Sequence, residues 1–143
     1  MREAVVIDTN VFISALLKAD TPPREVIKHG LLGNIQPLMG NALFSEYRDL
    51  MKREHIFRNC PLSKAERSDF FDDFMSICKW INIYYLWRPN LKDEADNHLI
   101  ELALAGNASC IITGNVKDFK DAELTFFQLN IVTPKTFIEE RTP

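Results

Sequence analysis

The sequence predicts an α/β protein with a mostly parallel central sheet. Two short, continuous apolar runs, 4–7 and 109–113, are rich in β-branched residues and do not alternate with polar ones. Such runs are typical of strands buried on both faces, as in the middle of a parallel sheet. Helical patterns alternate with strand candidates along the chain, and this alternation predicts βα units.

Composition places the chain among ordinary globular proteins. Its 143 residues are the size of one domain, so we expect 1–143 to form a single domain. The formal net charge of −3 gives no global positive field, and a nucleic acid would need a local basic patch or a bound metal. Three cysteines without a C-x-x-C pair suit a reducing cytoplasm. No signal peptide pattern or membrane span is apparent.

The strand and helix candidates follow one another in order. Apolar residues three or four apart predict helices, and β-branched or aromatic runs predict strands. Pro37 moves the second strand to a sheet edge or makes it irregular. Ser63 and Glu66 form a capping-box pattern that opens the fourth helix. The predicted elements are strand 4–7, helix 11–17, helix 24–32, strand 35–39, helix 43–53, loop 56–61, helix 63–78, strand 81–87, helix 97–105, strand 109–113, strand 126–132 and helix 134–140.

Four polar side chains are candidates for a functional site. Asp8 and Asn115 lie just beyond the ends of the two apolar strands, Asp96 opens the helix before the second strand, and Glu46 lies on the apolar side of its helix. Strand ends and helix starts of a parallel sheet converge on one edge. Each acid also has a structural interpretation that stays open: Asp8 could cap a helix, Glu46 could be a solvated boundary residue, and Asp96 could interact favourably with a helix dipole.

Acidic side chains that converge without basic partners favour a divalent cation. They repel one another, and Mg²⁺ or Mn²⁺ bound by oxygen ligands relieves that repulsion. Such a site suits hydrolysis of a phosphodiester bond, because the ion activates water and offsets charge on the phosphate. The sequence lacks the P-loop, dinucleotide, zinc-protease and serine-hydrolase motifs. Its three histidines, His29, His55 and His98, are scattered, so they give little support to zinc.

The sequence resembles the PIN domain family, in particular its VapC-like toxin branch. Order, spacing and chain length agree over nearly the whole chain. The resemblance rests on four blocks: Val5-Val6-Ile7-Asp8-Thr9-Asn10, Ser45-Glu46-Tyr47, Asp93-Glu94-Ala95-Asp96 with Leu99 and Ala103, and Ile111-Ile112-Thr113-Gly114-Asn115 with Val116-Lys117-Asp118-Phe119.

The resemblance implies a fold and an activity. The fold is a three-layer α/β/α sandwich with four to five strands in a mostly parallel sheet. The activity is that of a Mg²⁺- or Mn²⁺-dependent endoribonuclease with one or two ions, often the toxin of a toxin–antitoxin pair and often a homodimer. The matching catalytic acids are Asp8, Glu46 and Asp96, and Asp93 matches a further acidic position. Thr9, Asn10 and Thr113 would orient the acids through hydrogen bonds.

The chain departs from the family pattern at one position. Asn115 stands where an aspartate is common, and Asp118 three residues later would compensate as a metal ligand. The substitution puts a second metal in doubt, and an alternative function is therefore an inactive module that binds RNA or an antitoxin protein. An aspartyl phosphatase is a weaker rival, because Asp8-Thr9-Asn10 lacks its Asp-x-Asp pattern.

RNA contacts would come from local basic and aromatic side chains. Lysine and arginine bind phosphates, and aromatic rings stack on bases. Each candidate also has the simpler interpretation of a solvated charge or a packed strand residue. The candidates are Arg24, Lys28, Arg48, Lys52, Arg53, Lys117, Lys120, Tyr84, Tyr85 and Trp87.

Overall fold

A computed structural model describes residues 2–83, 97–119 and 129–141. Two 3₁₀ turns, at Glu54–Phe57 and Val116–Phe119, join its helices and strands. No helix in these ranges is long and apolar enough to cross a membrane. The elements are β1 (Glu3–Ile7), α1 (Thr9–Leu17), α2 (Pro22–Leu31), β2 (Ile35–Met39), α3 (Asn41–Met51), α4 (Lys64–Ile77), β3 (Lys79–Trp80), α5 (Asn97–Ala105), β4 (Cys110–Ile112), β5 (Asn130–Val132) and α6 (Pro134–Arg141).

The strands form a five-stranded sheet in the order β3-β2-β1-β4-β5. Every neighbouring pair is parallel. β1 lies at the centre, and its Val5 and Val6 have no exposed surface. The predicted α/β class with a parallel sheet is therefore confirmed, and so is the expectation that the first apolar run is a central strand.

Helices cover both faces of this sheet. The Pro37 ring packs against Gly30 of α2, with Phe74 of α4 beside it, whereas the Leu38 side chain packs against Gly106 just after α5. Successive side chains of a strand point to opposite faces. Because Pro37 and Leu38 are adjacent in β2, α2 and α4 lie on one face and α5 on the other. This is the α/β/α arrangement that the resemblance implied.

Two predictions about the strands are wrong in detail. β2 is not an edge strand, since it pairs with β1 on one side and β3 on the other. The interior position tolerates Pro37 because β3 pairs only with Leu38 and Met39, beyond the proline. The strand predicted at 81–87 is instead Lys79–Trp80, and 81–83 are not in a strand. The rest of that prediction, and 126–128 of the last strand, lie outside the described residues.

The helices begin close to their predicted positions. α1, α2 and α3 each start two residues earlier than expected, at Thr9, Pro22 and Asn41. The capping box before α4 is confirmed: the Ser63 hydroxyl accepts from Glu66 N–H at 3.1 Å, and Ser63 N–H donates to the Glu66 carboxylate at 2.9 Å. Part of the predicted 56–61 loop is a 3₁₀ turn that buries Phe57.

Candidate active site at the carboxyl edge of the sheet

Asp8 and Thr113 lie side by side because β1 and β4 are parallel neighbours. Ile7 pairs with Ile112, and Asp8 N–H donates to the Ile112 carbonyl at 2.9 Å, so each strand delivers its next residue to the same edge. The Thr113 hydroxyl donates to Asp8 Oδ2 at 2.8 Å. Asp8 is 5% exposed and Thr113 is fully buried, so this contact is shielded from solvent.

Asp8 occupies the residue before α1, yet its carboxylate does not cap that helix. Its Oδ2 accepts instead from Thr113 and from the Asn10 amide at 3.3 Å, and its Oδ1 lies 3.3 Å from the Thr9 hydroxyl oxygen. Asn10 is itself held by Gly114 N–H, which donates to its side-chain carbonyl at 3.1 Å. The side-chain contacts therefore disfavour the interpretation of Asp8 as a simple helix cap.

Glu46 reaches the same edge from α3. The neighbouring Tyr47 is buried, and its hydroxyl donates to the carbonyl of Ile7 at 2.8 Å, which ties α3 to the end of β1. With Tyr47 fixed there, Glu46 Oε1 accepts from the Thr9 hydroxyl at 2.6 Å. One hydroxyl thus contacts both Asp8 and Glu46, and it holds the two carboxylates next to each other.

His98 of α5 is the other partner of Glu46. Its Nε2 lies 2.9 Å from Glu46 Oε2, so Nε2–H donates to a carboxylate that can only accept. The His98 Nδ1 atom is buried, and it has no hydrogen-bond partner among the described residues. His98 was not among the predicted site residues, although it lies in the first turn of a helix that was already expected to reach this edge.

The two carboxylates differ in their electrostatic surroundings. Burial raises the pKa of Asp8, and the charge of Glu46 raises it further, against the opposing hydrogen bonds from Thr113 and Thr9. The hydrogen bond from His98 lowers the pKa of Glu46, and the hydrogen bond from Thr9 adds to this effect while burial opposes it. Glu46 therefore pairs with a histidine, whereas no lysine, arginine or histidine side chain in the described ranges pairs with Asp8.

Oxygen donors of this kind fit a hard divalent cation. A carboxylate has about four lone-pair positions. Asp8 Oδ2 accepts two hydrogen bonds, while among the described residues Oδ1 has only a 3.3 Å contact with the Thr9 hydroxyl, whose hydrogen Glu46 takes at 2.6 Å, so Oδ1 keeps its lone pairs for another ligand. Each Glu46 oxygen likewise accepts one hydrogen bond. An acid with a raised pKa and no cationic partner is the chemical setting in which a bound metal ion is most favourable.

The structure brings some predicted site residues together and leaves others apart. Asp8, Glu46, Thr9, Asn10 and Thr113 form one hydrogen-bonded cluster. Asn115 is exposed at its edge, with its N–H donating to the Thr113 hydroxyl at 3.0 Å. Asp118 is exposed in the 3₁₀ turn, and no group of three or more acidic, histidine or cysteine side chains in the described ranges is arranged to hold a metal. Asp93 and Asp96 lie outside the described residues.

Most of the basic candidates for RNA contact are exposed, but two have structural partners. Arg24 donates to the Ala15 carbonyl at 2.5 Å, and its guanidinium lies 5.3 Å from the centre of the Phe70 ring. Arg48 lies 5.4 Å from the centre of the Phe44 ring. These contacts give both arginines a structural role, although Arg48 remains exposed. The other exposed basic candidates are Lys28, Lys52, Arg53 and Lys117, while Lys120, Tyr84, Tyr85 and Trp87 lie outside the described residues.

Comparison with known proteins agrees with this fold. A family model described as PIN domain matches residues 4–117, which is most of the chain. Among solved structures, the chain is similar to one in the crystal structure of VapBC2 from Rickettsia felis bound to a DNA fragment from their promoter. That match has a TM-score of 0.58 and 16% identity, and it covers 91% of this chain and 98% of the other. No curated protein matches the sequence.

Proposed function

The chain belongs to the PIN domain family, and from this premise we propose that it is a metal-dependent endoribonuclease that hydrolyses RNA phosphodiester bonds. One observation carries the proposal. At the carboxyl edge of the central strand, the Thr9 hydroxyl contacts both Asp8 and Glu46, and the buried Asp8 has no cationic partner in the described ranges. Two carboxylates arranged in this way are suited to binding a divalent ion rather than to forming a salt bridge with a basic side chain.

The metal would be Mg²⁺ or Mn²⁺, as one or two ions. We assign its binding first to Asp8 and Glu46, because both have lone pairs left after their hydrogen bonds are counted. By the family resemblance, Asp96 completes the catalytic set. Asp93, Asn115 and Asp118 are the remaining proposed ligands, and Asn115 offers a carbonyl oxygen without charge.

When bound, such an ion supplies a water of lowered pKa and offsets the negative charge that develops on the phosphate. The protein's part is to keep its ligands in place. Thr113 and Asn10 hold Asp8 Oδ2, so the Oδ1 atom is presented in a fixed direction. Thr9 and His98 each hold one oxygen of Glu46. We therefore propose His98 as a positioning residue that acts through Glu46.

The biological role we propose is that of a VapC-like toxin neutralised by an antitoxin protein. Support comes from the sequence blocks that resemble that branch and from the shared fold with a chain of the VapBC2 structure. We further propose that residues 1–143 form a single domain, that the protein acts in the cytoplasm and that it forms a homodimer. The free thiols of Cys60, Cys78 and Cys110 are compatible with a reducing compartment.

An RNA cleavage assay tests the enzymatic proposal. The wild type is incubated with a mixed pool of RNA in Mg²⁺, in Mn²⁺ and in chelator, beside Asp8→Asn and the control Asp49→Asn. Asp49 is an exposed acid on α3, the helix that carries Glu46, so the control removes the same charge away from the cluster. We expect metal-dependent cleavage by the wild type and the control, and none by Asp8→Asn.

Other outcomes discriminate among the alternatives. Equal cleavage by wild type and Asp8→Asn means contamination or a different site, and it refutes the catalytic assignment. RNA binding without cleavage in either metal supports the inactive binding module instead. Hydrolysis of a phosphomonoester with no effect on RNA would favour the phosphatase.

A further inference from the structure

A cleft of about 320 Å³ opens beside the acid pair, and apart from its edge at Asn10 and Asn115 the proposed chemistry does not use it. Asn10 forms part of its wall while its amide donates to Asp8 Oδ2, so the cleft and the acid pair share this side chain. Asn115 also lines the cleft, and its N–H contacts the Thr113 hydroxyl that holds Asp8. A ligand seated here therefore lies directly next to the proposed site of hydrolysis.

The walls of the cleft combine positive charge with apolar rings. Three helices contribute their first turns: α1 through Asn10, α2 through Pro22 and Pro23, and α6 through Pro134 and Lys135. The positive ends of helix dipoles attract anions. Proline has no N–H, so the first turns of α2 and α6 contribute little direct hydrogen bonding and leave most of it to the Lys135 ammonium.

Lys135 is exposed on the wall, and no carboxylate in residues 2–83, 97–119 or 129–141 forms a salt bridge with it. An ammonium in such a position is available to an external anion. Across the cleft, the partly exposed rings of Pro22 and Pro23 offer apolar surface on which a sugar or a base packs, and Ser14 adds a hydroxyl. Phosphate, sugar and base together are the parts of one nucleotide.

We propose that this cleft binds the ribonucleotide that flanks the scissile phosphate. Its own phosphate contacts Lys135, and its sugar and base pack against Pro22 and Pro23. The volume is at the lower end of the roughly 300–1,000 Å³ range of small-ligand pockets, as expected for one nucleotide unit of a chain that continues outside. This inference rests on the proposed function, since it names where the substrate of the same site is held.

Lys135→Ala tests the inference, with Lys79→Ala as the matched control. Lys79 is an exposed lysine in β3, at one end of the sheet, whereas the cleft is lined by the start of α6, which follows β5 at the other end. Binding of a fluorescein-labelled single-stranded RNA pool is measured by anisotropy in chelator, over a range of salt. Initial rates of cleavage are measured separately in Mg²⁺.

We expect Lys135→Ala to weaken RNA binding about fivefold, the effect of losing one exposed phosphate contact. The slope of log K against log[salt] should fall by about 0.7 in magnitude, KM should rise by a similar factor, and kcat should stay unchanged. Lys135→Arg should restore most of the affinity, because it restores the charge. Ser14→Trp, which fills the cleft with a bulky side chain, should weaken binding at least as much.

The outcomes separate this inference from the nuclease proposal. If the wild type binds RNA and Lys135→Ala alone weakens that binding, but no metal supports cleavage, the nuclease proposal fails and the nucleotide site stands. If the wild type cleaves RNA while Lys135→Ala and Ser14→Trp behave like Lys79→Ala, the cleft inference is overturned. Equal weakening by Lys79→Ala and Lys135→Ala also overturns it, since the contact is then nonspecific.

Discussion

Replacing Asp8 with asparagine should stabilise the metal-free protein although it removes activity. Asp8 is 5% exposed, and both burial and the charge of Glu46 raise its pKa. Asparagine has nearly the same shape, and its carbonyl can accept from the Thr113 hydroxyl as Asp8 Oδ2 does now. The amide NH₂ then replaces Oδ1 on the side of Thr9 and Glu46. The repulsion between the Asp8 and Glu46 carboxylates is thereby replaced by an attraction between the amide N–H and the Glu46 carboxylate.

The size of this effect follows from the surroundings of the two acids. Two unit charges about 4 Å apart interact by about 4 kcal/mol at an effective dielectric constant of about 20. That figure is an upper bound here, because the Glu46 side chain is 37% exposed and is paired with His98. After this discount we expect a gain of about 1 kcal/mol in the free energy of unfolding. For a chain of this size the melting temperature should rise by about 3 °C.

The assay is thermal or urea unfolding at pH 7 in chelator, with Asp49→Asn as the exposed control. The control should stay within about 0.5 kcal/mol of the wild type. The advantage of Asp8→Asn should shrink as the pH falls through the raised pKa of Asp8, because the wild-type carboxyl then takes up a proton and loses its unfavourable charge.

Adding Mg²⁺ should reverse the order of stability. An ion at ten times its Kd stabilises the wild type by about 1.4 kcal/mol, whereas Asp8→Asn has lost a proposed ligand. The reasoning is refuted if Asp8→Asn unfolds more easily than the wild type in chelator, since the buried carboxylate would then be a net stabiliser. An equal response of both proteins to Mg²⁺ would remove Asp8 from the metal site.

Three further changes test the supporting contacts. His98→Ala should lower kcat and Mn²⁺ affinity by about tenfold or more. His98→Gln should recover part of both, because glutamine keeps a hydrogen-bond donor to Glu46. If His98 were purely structural, its replacement would change only the stability. Glu3→Gln should cost about 1 kcal/mol of unfolding free energy at pH 7, measured by urea unfolding. Burial opposes ionisation of Glu3, but hydrogen bonds from Arg141 and Ser109 lower its pKa, so its contribution to stability is present above about pH 4.5. That contribution is lost as the pH falls through the lowered pKa, where the variant and the wild type should become equally stable. Tyr47→Phe should lower the free energy of unfolding by about 1–2 kcal/mol and reduce cleavage under folding conditions. The buried Ile7 carbonyl loses its hydrogen bond from Tyr47, and α3 is then less firmly attached to the end of β1. A variant as stable as the wild type would contradict this.

The central part of the fold could be predicted because local patterns determine it. Continuous apolar runs identified β1 and β4, and their parallel pairing then brings Asp8 and Thr113 to one edge without further information. The position of β2 could not be predicted from Pro37, since a proline excludes a neighbour only where its missing N–H would be needed. β3 begins to pair one residue later, and this register depends on the whole sheet.

The site was harder to predict because its contacts cross between elements. Glu46 was expected at the edge from its helix face, but the contact that places it there is made by Tyr47 to the end of β1. His98 was treated as one of three scattered histidines, because no local spacing links it to Glu46, fifty-two positions earlier. Lys135 was overlooked for the same reason: only the packing of α6 beside α2 places it at the cleft.

The pairing of His98 with Glu46 bears on why Asp8 should dominate metal binding. Glu46 already has a donor for each oxygen, and one of these donors can carry positive charge, so its need for a further cation is reduced. Asp8 has only neutral donors in the described ranges, and burial keeps water from screening its charge. With the neutral Asn115 on the other side of Thr113, the unbalanced negative charge of the described cluster is concentrated on Asp8. An ion that enters therefore gains most from Asp8, and the hydroxyl of Thr9 keeps Glu46 beside it as the next ligand.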